Sequence, residues 1–330
     1  MEFETILKLV KASGVREGEL ILVHFWGEDQ DREIANRFAA AVAAAGASPV
    51  VLQQARSVNR DIFATAKPGC FDDRYFEMIS RFDAVLDVFA YQPVILSYPL
   101  EEERLNLYRA YIARLFQALM GCKRFTQIRI PTEANAEESG LDPADYIRRM
   151  NRAYDIDYDA LAVKCADELK KFADAGKVEV RTGSGCVLQM ELTGRKWLTD
   201  AGDGDLPCGE IYIAPAEDRT NGSVYFENLW LEDVKYTDVT LEIVNGEVTG
   251  SSNEELAKQF AEMPQENRIV CELGLGMNPN VEDLCGYALL DEKMAGTFHI
   301  AVGMNRMFGG TNDASGHVDF VGCGKIEVIG

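Results

Sequence analysis

The first half of the chain alternates strand-like and helix-like segments, and this alternation constrains the fold more than any other feature. Strand-like runs rich in Val, Ile, Leu and Phe occupy residues 18–26, 48–54, 83–90 and 123–131, and helical patterns separate them. The order βαβαβαβ with short links is typical of a parallel sheet that is covered by helices on both faces. We therefore predict a doubly wound, Rossmann-like α/β domain.

The pattern changes near residue 177. A long helical region covers residues 142–176 and ends at a glycine, whereas residues 178–330 contain mainly short strands and tight turns. Gly-Ser-Gly and Asn-Gly sequences in this part are typical hairpin turns. We predict two domains, an α/β domain over 1–177 and a strand-rich α+β domain over 178–330.

Charge and composition exclude several classes of partner. The chain has 54 acidic and 33 basic residues, a formal charge of -21, which disfavours binding to nucleic acid or to an anionic membrane. Its apolar runs fall short of the roughly 18 residues that a membrane span needs. The start of the chain lacks the basic and apolar regions of a signal peptide. Its eight cysteines form no C-x-x-C pair, which favours reduced thiols and a cytoplasmic location.

The first strand is not followed by a phosphate-binding loop. The sequence after it reads WGEDQD, without the glycines that let a backbone cradle a pyrophosphate. We therefore exclude dinucleotide binding and expect this domain to shape a pocket or to build an oligomer. His24, Trp26, Tyr91 and Tyr98 lie near predicted strand ends, where they line a pocket or, more commonly, pack in the core.

The C-terminal part carries the residues with metal-binding chemistry. His317 and Asp319 form an H-x-D pair, and on a strand both side chains point to the same face. His299 lies in the apolar run FHIAV, and Glu272 lies in the apolar run ELGLG, where a carboxylate is costly unless it is paired or bound to metal. Glu210 begins the strand-like run EIYI.

Together these five groups are a typical ligand inventory for a two-metal hydrolase. Each has a simpler structural interpretation: Glu210 as a solvated strand end, His299 as a core histidine, and His317–Asp319 as a structural pair. The five residues lie in the segments GRKWLTDAGDGDLPCGEIYIAPAEDRTNG, CELGLGMNP, DEKMAGTFHIAVG and GHVDFV.

In order and wording, these segments resemble the aminopeptidase T family of metallo-aminopeptidases. The resemblance covers residues 178–330 well and the N-terminal domain only loosely. It implies two divalent metal ions held by two glutamates, two histidines and an aspartate, at the positions of Glu210, Glu272, His299, His317 and Asp319. It also implies a homodimer and a substrate with a free peptide N-terminus.

Two departures from that family stand out. Where the family has a tyrosine seven residues after its first histidine, this chain has Arg306, and the segment between His299 and His317 is shorter. The shorter segment resembles the related 2,5-dihydroxypyridine dioxygenases, which bind a single iron(II). Those enzymes have a histidine at the position of Glu272 and apolar residues at the positions of Glu210 and His299.

Three functions follow as hypotheses. The first is a hydrolase with two zinc, cobalt or manganese ions, in which Glu272 or Glu210 bridges the ions or acts as the base. In this reading Arg306 binds the substrate carbonyl or a substrate carboxylate. The second is a ring-cleaving dioxygenase with one Fe(II) held by Glu272, His317 and Asp319. The third is a specialised member that binds a metal or a small ligand without peptidase activity.

Overall fold

The computed structural model of the chain describes residues 1–96, 99–232 and 234–330. The elements of the N-terminal part are α1 (Phe3–Ala12), β1 (Leu20–Trp26), α2 (Arg32–Ala44), β2 (Ser48–Gln54), α3 (Arg56–Thr65), α4 (Asp73–Ile79), β3 (Ala84–Phe89), α5 (Glu102–Met120), β4 (Phe125–Arg129), α6 (Glu133–Glu138) and α7 (Pro143–Tyr154).

The remaining elements are α8 (Tyr158–Leu169), β5 (Lys177–Thr182), β6 (Val187–Glu191), β7 (Leu198–Asp200), β8 (Asp205–Leu206), β9 (Glu210–Ile213), β10 (Thr220–Leu231), β11 (Val234–Val244), β12 (Glu247–Ser251), α9 (Glu254–Glu262), β13 (Val270–Gly276), α10 (Ala288–Asp291), β14 (Phe298–Gly303), β15 (His317–Gly322) and β16 (Gly324–Val328).

The N-terminal part contains the expected parallel sheet, with strand order β2-β1-β3-β4-β8. Strands β1 and β3 lie at its centre and are almost wholly buried, because helices cover parallel sheets on both faces. Leu22 and Trp26 of β1 pack with Phe89 of β3 and Leu115 of α5 in one apolar cluster. The predicted α/β class is confirmed, and α3 is a helix that the sequence analysis did not predict.

His24 is a core residue of this sheet. Its ring is fully buried, and its Nδ1 lies 2.7 Å from Oδ1 of Asp87, which also accepts a hydrogen bond of 2.9 Å from the indole of Trp26. Tyr91 is buried as well, and its hydroxyl donates to the carbonyl of Gln54. These residues pack in the core, and Tyr98 lies outside the described residues.

Two antiparallel sheets form the strand-rich part. The six-stranded sheet has the order β12-β11-β10-β6-β5-β16, and the five-stranded sheet has the order β15-β14-β13-β9-β7. The Gly-Ser-Gly and Asn-Gly sequences form the predicted hairpin turns between β5 and β6 and between β11 and β12. Asn245 and Gly246 both have positive φ, 51° and 80°, as such a two-residue turn requires.

The antiparallel five-stranded sheet, β15-β14-β13-β9-β7, buries one apolar face against the six-stranded sheet. Phe298 of β14 and Phe320 of β15 have ring centroids 5.9 and 6.2 Å from that of Phe226 on β10. Burying a side chain of this size contributes about 1.5–3 kcal/mol, so these contacts hold the sheets together. The opposite face of this sheet does not take part in these contacts.

Two compact units divide the chain differently from the predicted boundary near residue 177. One unit comprises residues 1–158 and 202–207, and the other comprises 159–201 and 208–330. The strand β8 belongs to the first unit because it pairs with β4, while nearly all of α8 belongs to the second. The helical region predicted over 142–176 is two helices, α7 and α8. Within the described ranges, the helices are too short or too polar to cross a membrane.

Candidate metal centre

The five predicted ligands lie on one face of the five-stranded sheet. Residues directly opposite one another in an antiparallel pair share a face, as do alternate residues of a strand. In the register of the sheet, Glu210 opposes Gly276, His299 opposes Gly274, and Ala301 opposes both Glu272 and Asp319. His317 opposes Gly303 of β14. These pairs place all five side chains on the face that does not pack against the six-stranded sheet.

Each of the five ligands thus opposes a glycine or an alanine on one neighbouring strand, while on the other side Glu210 opposes Asp200 and His299 opposes Val321. This leaves space above the strands for the polar side chains to converge. A β-carbon at Gly274 would lie only 2.0 Å from Nε2 of His299, so the imidazole can lie across β13 only because this position is glycine. Gly274 therefore has a steric role in the candidate site.

The first group of potential ligand atoms comprises Glu210, Glu272 and His299, which we call the Glu210 group. Nε2 of His299 lies 3.3 Å from Oε1 of Glu272 and 3.4 Å from Oε2 of Glu210. All three residues are buried, with at most 7% of their surface exposed.

The second group comprises Glu272, His317 and Asp319, which we call the Asp319 group. Nε2 of His317 lies 3.4 Å from Oε2 of Glu272 and 3.5 Å from Oδ1 of Asp319. Glu272 thus directs one oxygen to each histidine and belongs to both groups.

The imidazole of His317 is held in the orientation typical of a metal ligand. Its Nδ1 lies 2.9 Å from the carbonyl oxygen of Met304, so the N–H on that nitrogen can donate and leave Nε2 free for a ligand. Met304 begins the segment between β14 and β15, and the buried Asn305 next to it fastens this segment. The Asn305 amide donates to Glu217 and to the carbonyl of Cys271, and its oxygen accepts from the backbone of Asn312.

The electrostatics of the cluster favour protonated histidines next to buried carboxylates. Burial alone would lower the pKa of His299, but the hydrogen bond to Glu272 and the charge of Glu210 outweigh it and raise the pKa to about 9. Burial would also lower the pKa of His317, but Asp319 raises it well above its ordinary value. Burial raises the pKa of Glu272, with a further contribution from Asp319. A divalent cation would displace protons from such a site and take over the balance of charge.

Comparison with known proteins places this chain in a family. The family model of the thermophilic metalloproteases (M29) matches residues 7–330. The chain belongs to this family. Among curated protein sequences, none matches the chain significantly. The resemblance to metallo-aminopeptidases seen in the sequence is confirmed, and it extends over the N-terminal part as well.

Two solved structures share the fold of this metalloprotease-family chain. AmpT from Thermus thermophilus is 19% identical, with a TM-score of 0.66 over 96% of this chain and 91% of that one. The 2,5-dihydroxypyridine dioxygenase from Pseudomonas putida KT2440 is 17% identical, with a TM-score of 0.65 over 99% of this chain and 93% of that one. At these identities the similarity establishes the fold and leaves the chemistry to the residues of the site.

The residues present fit the divalent metal that a metalloprotease family implies. Imidazole and carboxylate are ligands that zinc and related ions accept, and a tetrahedral ion with bonds of about 2.0–2.1 Å holds its ligand atoms about 3.3 Å apart. The measured separations of 3.3 to 3.5 Å in the two groups agree with that geometry.

Arg306, in contrast, does not join the cluster. Its side chain is 60% exposed, and its guanidinium lies 3.3 Å from the carboxylate of Asp313 in the same segment. An exposed arginine paired within its own loop has no contact through which to polarise a bound carbonyl in this conformation.

Three further residues, which the sequence analysis did not single out, lie around the ligands. Lys293 and Glu292 are buried, and the Lys293 ammonium lies 2.5 Å from Oε1 of Glu210 and 2.7 Å from Oε1 of Glu292. Tyr212 follows Glu210 by two residues, so it lies on the same face, and it opposes Gly274. The period of two could have indicated Tyr212, whereas no local pattern indicates Lys293.

Proposed function

We propose that this chain is an aminopeptidase-like hydrolase that cleaves an amide or peptide bond of a small substrate at a two-metal site. The observation that carries the proposal is the position of Glu272, whose two oxygens lie 3.3 and 3.4 Å from the imidazoles of His299 and His317. A carboxylate placed between two imidazoles in this way is suited to bridge two cations. The membership in a metalloprotease family supports the same reaction class.

The ligands would divide between two cations. Glu210 and His299 would hold one, His317 and Asp319 would hold the other, and Glu272 would contribute one oxygen to each. Two bound ions of zinc, cobalt or manganese would supply an activated water at neutral pH and an electrophile for the substrate carbonyl. Because all five side chains rest on one rigid sheet, their positions are set before the substrate arrives.

We propose that Tyr212, which lies on the same face of the sheet as the ligands, donates a hydrogen bond to the substrate carbonyl. Its ring packs edge-on against Phe308 at 5.6 Å, and Phe308 in turn lies edge-on to His317 at 5.8 Å. Burial raises the pKa of Tyr212, with contributions from Glu210 and Asp200, so its phenol keeps its proton. We assign to Tyr212 the donor role that the sequence analysis gave to Arg306.

The experiment measures metal content and activity on the same samples. Protein purified without chelator is expected to contain about two zinc, cobalt or manganese ions per chain and to release N-terminal residues from short peptides without oxygen. His317→Ala is expected to lose the metal of the Asp319 group and all activity. Full activity in that variant would overturn the site.

The dioxygenase hypothesis makes the opposite prediction for the same samples. It requires about one iron per chain and consumption of oxygen with an aromatic diol. The chain shares its fold with the dioxygenase of Pseudomonas putida KT2440, so the experiment must include this alternative. The Asp319 group has two carboxylates and one histidine, which differs from the two-histidine, one-carboxylate ligand set of such iron enzymes. Oxygen consumption without peptide cleavage would replace the hydrolase proposal.

A further inference from the structure

A buried lysine lies directly behind one of the two predicted metal positions. Lys293 has 1% of its surface exposed, and its ammonium is shared between Oε1 of Glu210 and Oε1 of Glu292. Burying a charged ammonium destabilises the fold unless carboxylates surround it, so the contacts of Lys293 with Glu210 and Glu292 are required for its burial. Nothing in the ligand set itself requires a lysine.

The backbone around Lys293 fixes its position relative to Glu210. The carbonyl of Lys293 accepts from the backbone N–H of Asn278 at 2.8 Å, and the side chain of Asn278 donates to the carbonyl of Cys208, two residues before Glu210. Gly276 permits this approach, because a β-carbon there would lie 2.0 Å from the carbonyl oxygen of Met294. The chain around Lys293 is therefore fastened to the ends of the strands that carry Glu210 and Glu272.

The lysine divides the two oxygens of Glu210 between two partners. Oε1 is 2.5 Å from the ammonium, while Oε2 is 3.4 Å from Nε2 of His299. Only Oε2 is available to a cation in the Glu210 group. Oε1 would have to leave the ammonium before Glu210 could bind through both oxygens.

The Asp319 group has no equivalent contact among the described residues. The partners of its carboxylates at the site are the imidazoles of His299 and His317. Lys293 thus contacts a carboxylate of the Glu210 group directly, whereas it acts on Asp319 only through the electric field of its charge. Charges a few ångströms apart interact appreciably even at an effective dielectric constant of about 20.

We infer that Lys293 is a positioning residue that makes the two metal positions unequal. It limits Glu210 to one ligand oxygen and makes the Glu210 group the weaker of the two sites. This inference rests on the proposed two-metal function. It predicts stepwise loading, in which the Asp319 group fills first and the Glu210 group fills at higher metal concentration.

The test is a calorimetric titration of metal-free full-length protein with Co²⁺, followed in parallel by the visible absorption of bound cobalt. The wild-type protein is expected to show two classes of site. His299→Ala should remove the weaker class, and His317→Ala should remove the stronger one. Lys293→Met should strengthen the weaker class by about tenfold or more while leaving the stronger class nearly unchanged, since it removes the adjacent charge.

Lys325→Met is the matched control, because Lys325 is exposed on β16 in the same unit. It makes the same substitution and should leave both classes unchanged. Glu292→Gln provides a test of opposite sign that does not depend on the folding of Lys293→Met. Without the Glu292 carboxylate, the ammonium of Lys293 keeps only its contact with Glu210, and the Co²⁺ affinity of the weaker class should fall further.

The outcomes separate the inference from the proposed function. Wild-type protein that binds no Co²⁺, or only one ion, would overturn the two-metal function and the inference with it. Two classes of site that Lys293→Met and Glu292→Gln leave unchanged, or shift in the same direction, would overturn the role of Lys293 alone.

Discussion

Gly274 shows how much the candidate site depends on a residue that binds nothing. It opposes His299 in the sheet, and its missing side chain leaves the space that the imidazole occupies between Glu210 and Glu272. The ligands define which chemistry is available, and this glycine decides whether two of them can meet.

Gly274→Ala is accordingly expected to impair metal binding. The added methyl group must displace the His299 ring, which costs about 1–3 kcal/mol of overpacking and should lower metal affinity in the Glu210 group by about 10–100-fold. Thermal unfolding and metal titration would measure the two effects. Gly316→Ala is the matched control, because a β-carbon there would have no atom within 4 Å. Equal metal affinity in the two variants would contradict the steric argument.

Tyr212→Phe isolates the phenol on the same face of the sheet. Removing a hydrogen-bond donor to the developing oxyanion should lower kcat by about 100-fold, with metal content unchanged. Peptide-cleavage kinetics on the metal-loaded protein would measure the effect. Tyr225→Phe, which removes a hydroxyl that donates to Asp238 on the six-stranded sheet, should retain full kcat. Normal kcat in Tyr212→Phe would assign the carbonyl to another group.

The segment between β14 and β15 contains Met304, whose carbonyl oxygen orients the imidazole of His317, and the exposed Arg306. Asn305 is fully buried and joins this segment to Glu217 and Cys271, and Glu217 also accepts from the backbone N–H of Thr311 at 2.6 Å. Burial would raise the pKa of Glu217, but these hydrogen bonds and the charge of Arg195 lower it. The segment is therefore an ordered part of the site.

Asn305→Ala should loosen this segment and the ligand that it orients. Losing the amide leaves buried partners unsatisfied, at a cost of about 1–3 kcal/mol in unfolding free energy. Metal affinity in the Asp319 group should fall about 10–100-fold, because Met304 no longer holds the imidazole firmly. Arg306→Ala, in the adjacent exposed position, should change neither quantity nor the peptidase rate. A large loss of activity in that control would restore the catalytic role predicted for Arg306.

Across the whole molecule, acidic residues outnumber basic ones by 54 to 33. Many of the ion pairs lie at the surface. Glu138 is an exception, because it ties together three separate parts of the N-terminal unit. It receives two hydrogen bonds of 2.5 and 2.8 Å from Arg56 at the start of α3, and one of 2.9 Å from the backbone of Gln92 after β3. Burial would raise the pKa of Glu138, but Arg56 and the Gln92 N–H outweigh it and lower the pKa.

This shift predicts a pH-dependent contribution to stability. A carboxylate with a lowered pKa stabilises the fold above its ordinary pKa of 4.5, and the contribution is lost as the pH falls through the lower folded value. Glu138→Gln should thus lower the free energy of unfolding by about 1–3 kcal/mol at neutral pH, with a smaller difference from wild type in more acidic buffer.

Urea unfolding at several pH values would measure this difference. Glu33→Gln is the control, since Glu33 forms an exposed pair with Arg37 on α2 and should contribute under about 0.5 kcal/mol. A difference for Glu138→Gln that stays constant from neutral to acidic pH would show that its charge is not the cause.

Local patterns determined much of this protein. The alternation of strands and helices predicted the parallel sheet, because hydrophobic periodicity and turn residues act over a few positions. The Asn-Gly turn predicted its hairpin for the same reason. Period two placed His317 and Asp319 on one face, and the cost of a carboxylate in an apolar strand marked Glu272.

Tertiary structure decided the rest, because the decisive contacts join residues far apart in the chain. The meeting of Glu210 with His299 depends on two strand pairings across β13, and the contact between Lys293 and Glu210 spans 83 positions. No local pattern encodes such a contact. The position of β8 is also not encoded locally, because β8 pairs with β4, which lies far before it in the chain. Nor does a local pattern show that the side chain of Arg306 is exposed to solvent. The sequence thus named the chemical groups, and the folding of β13 between β9 and β14 brought them together.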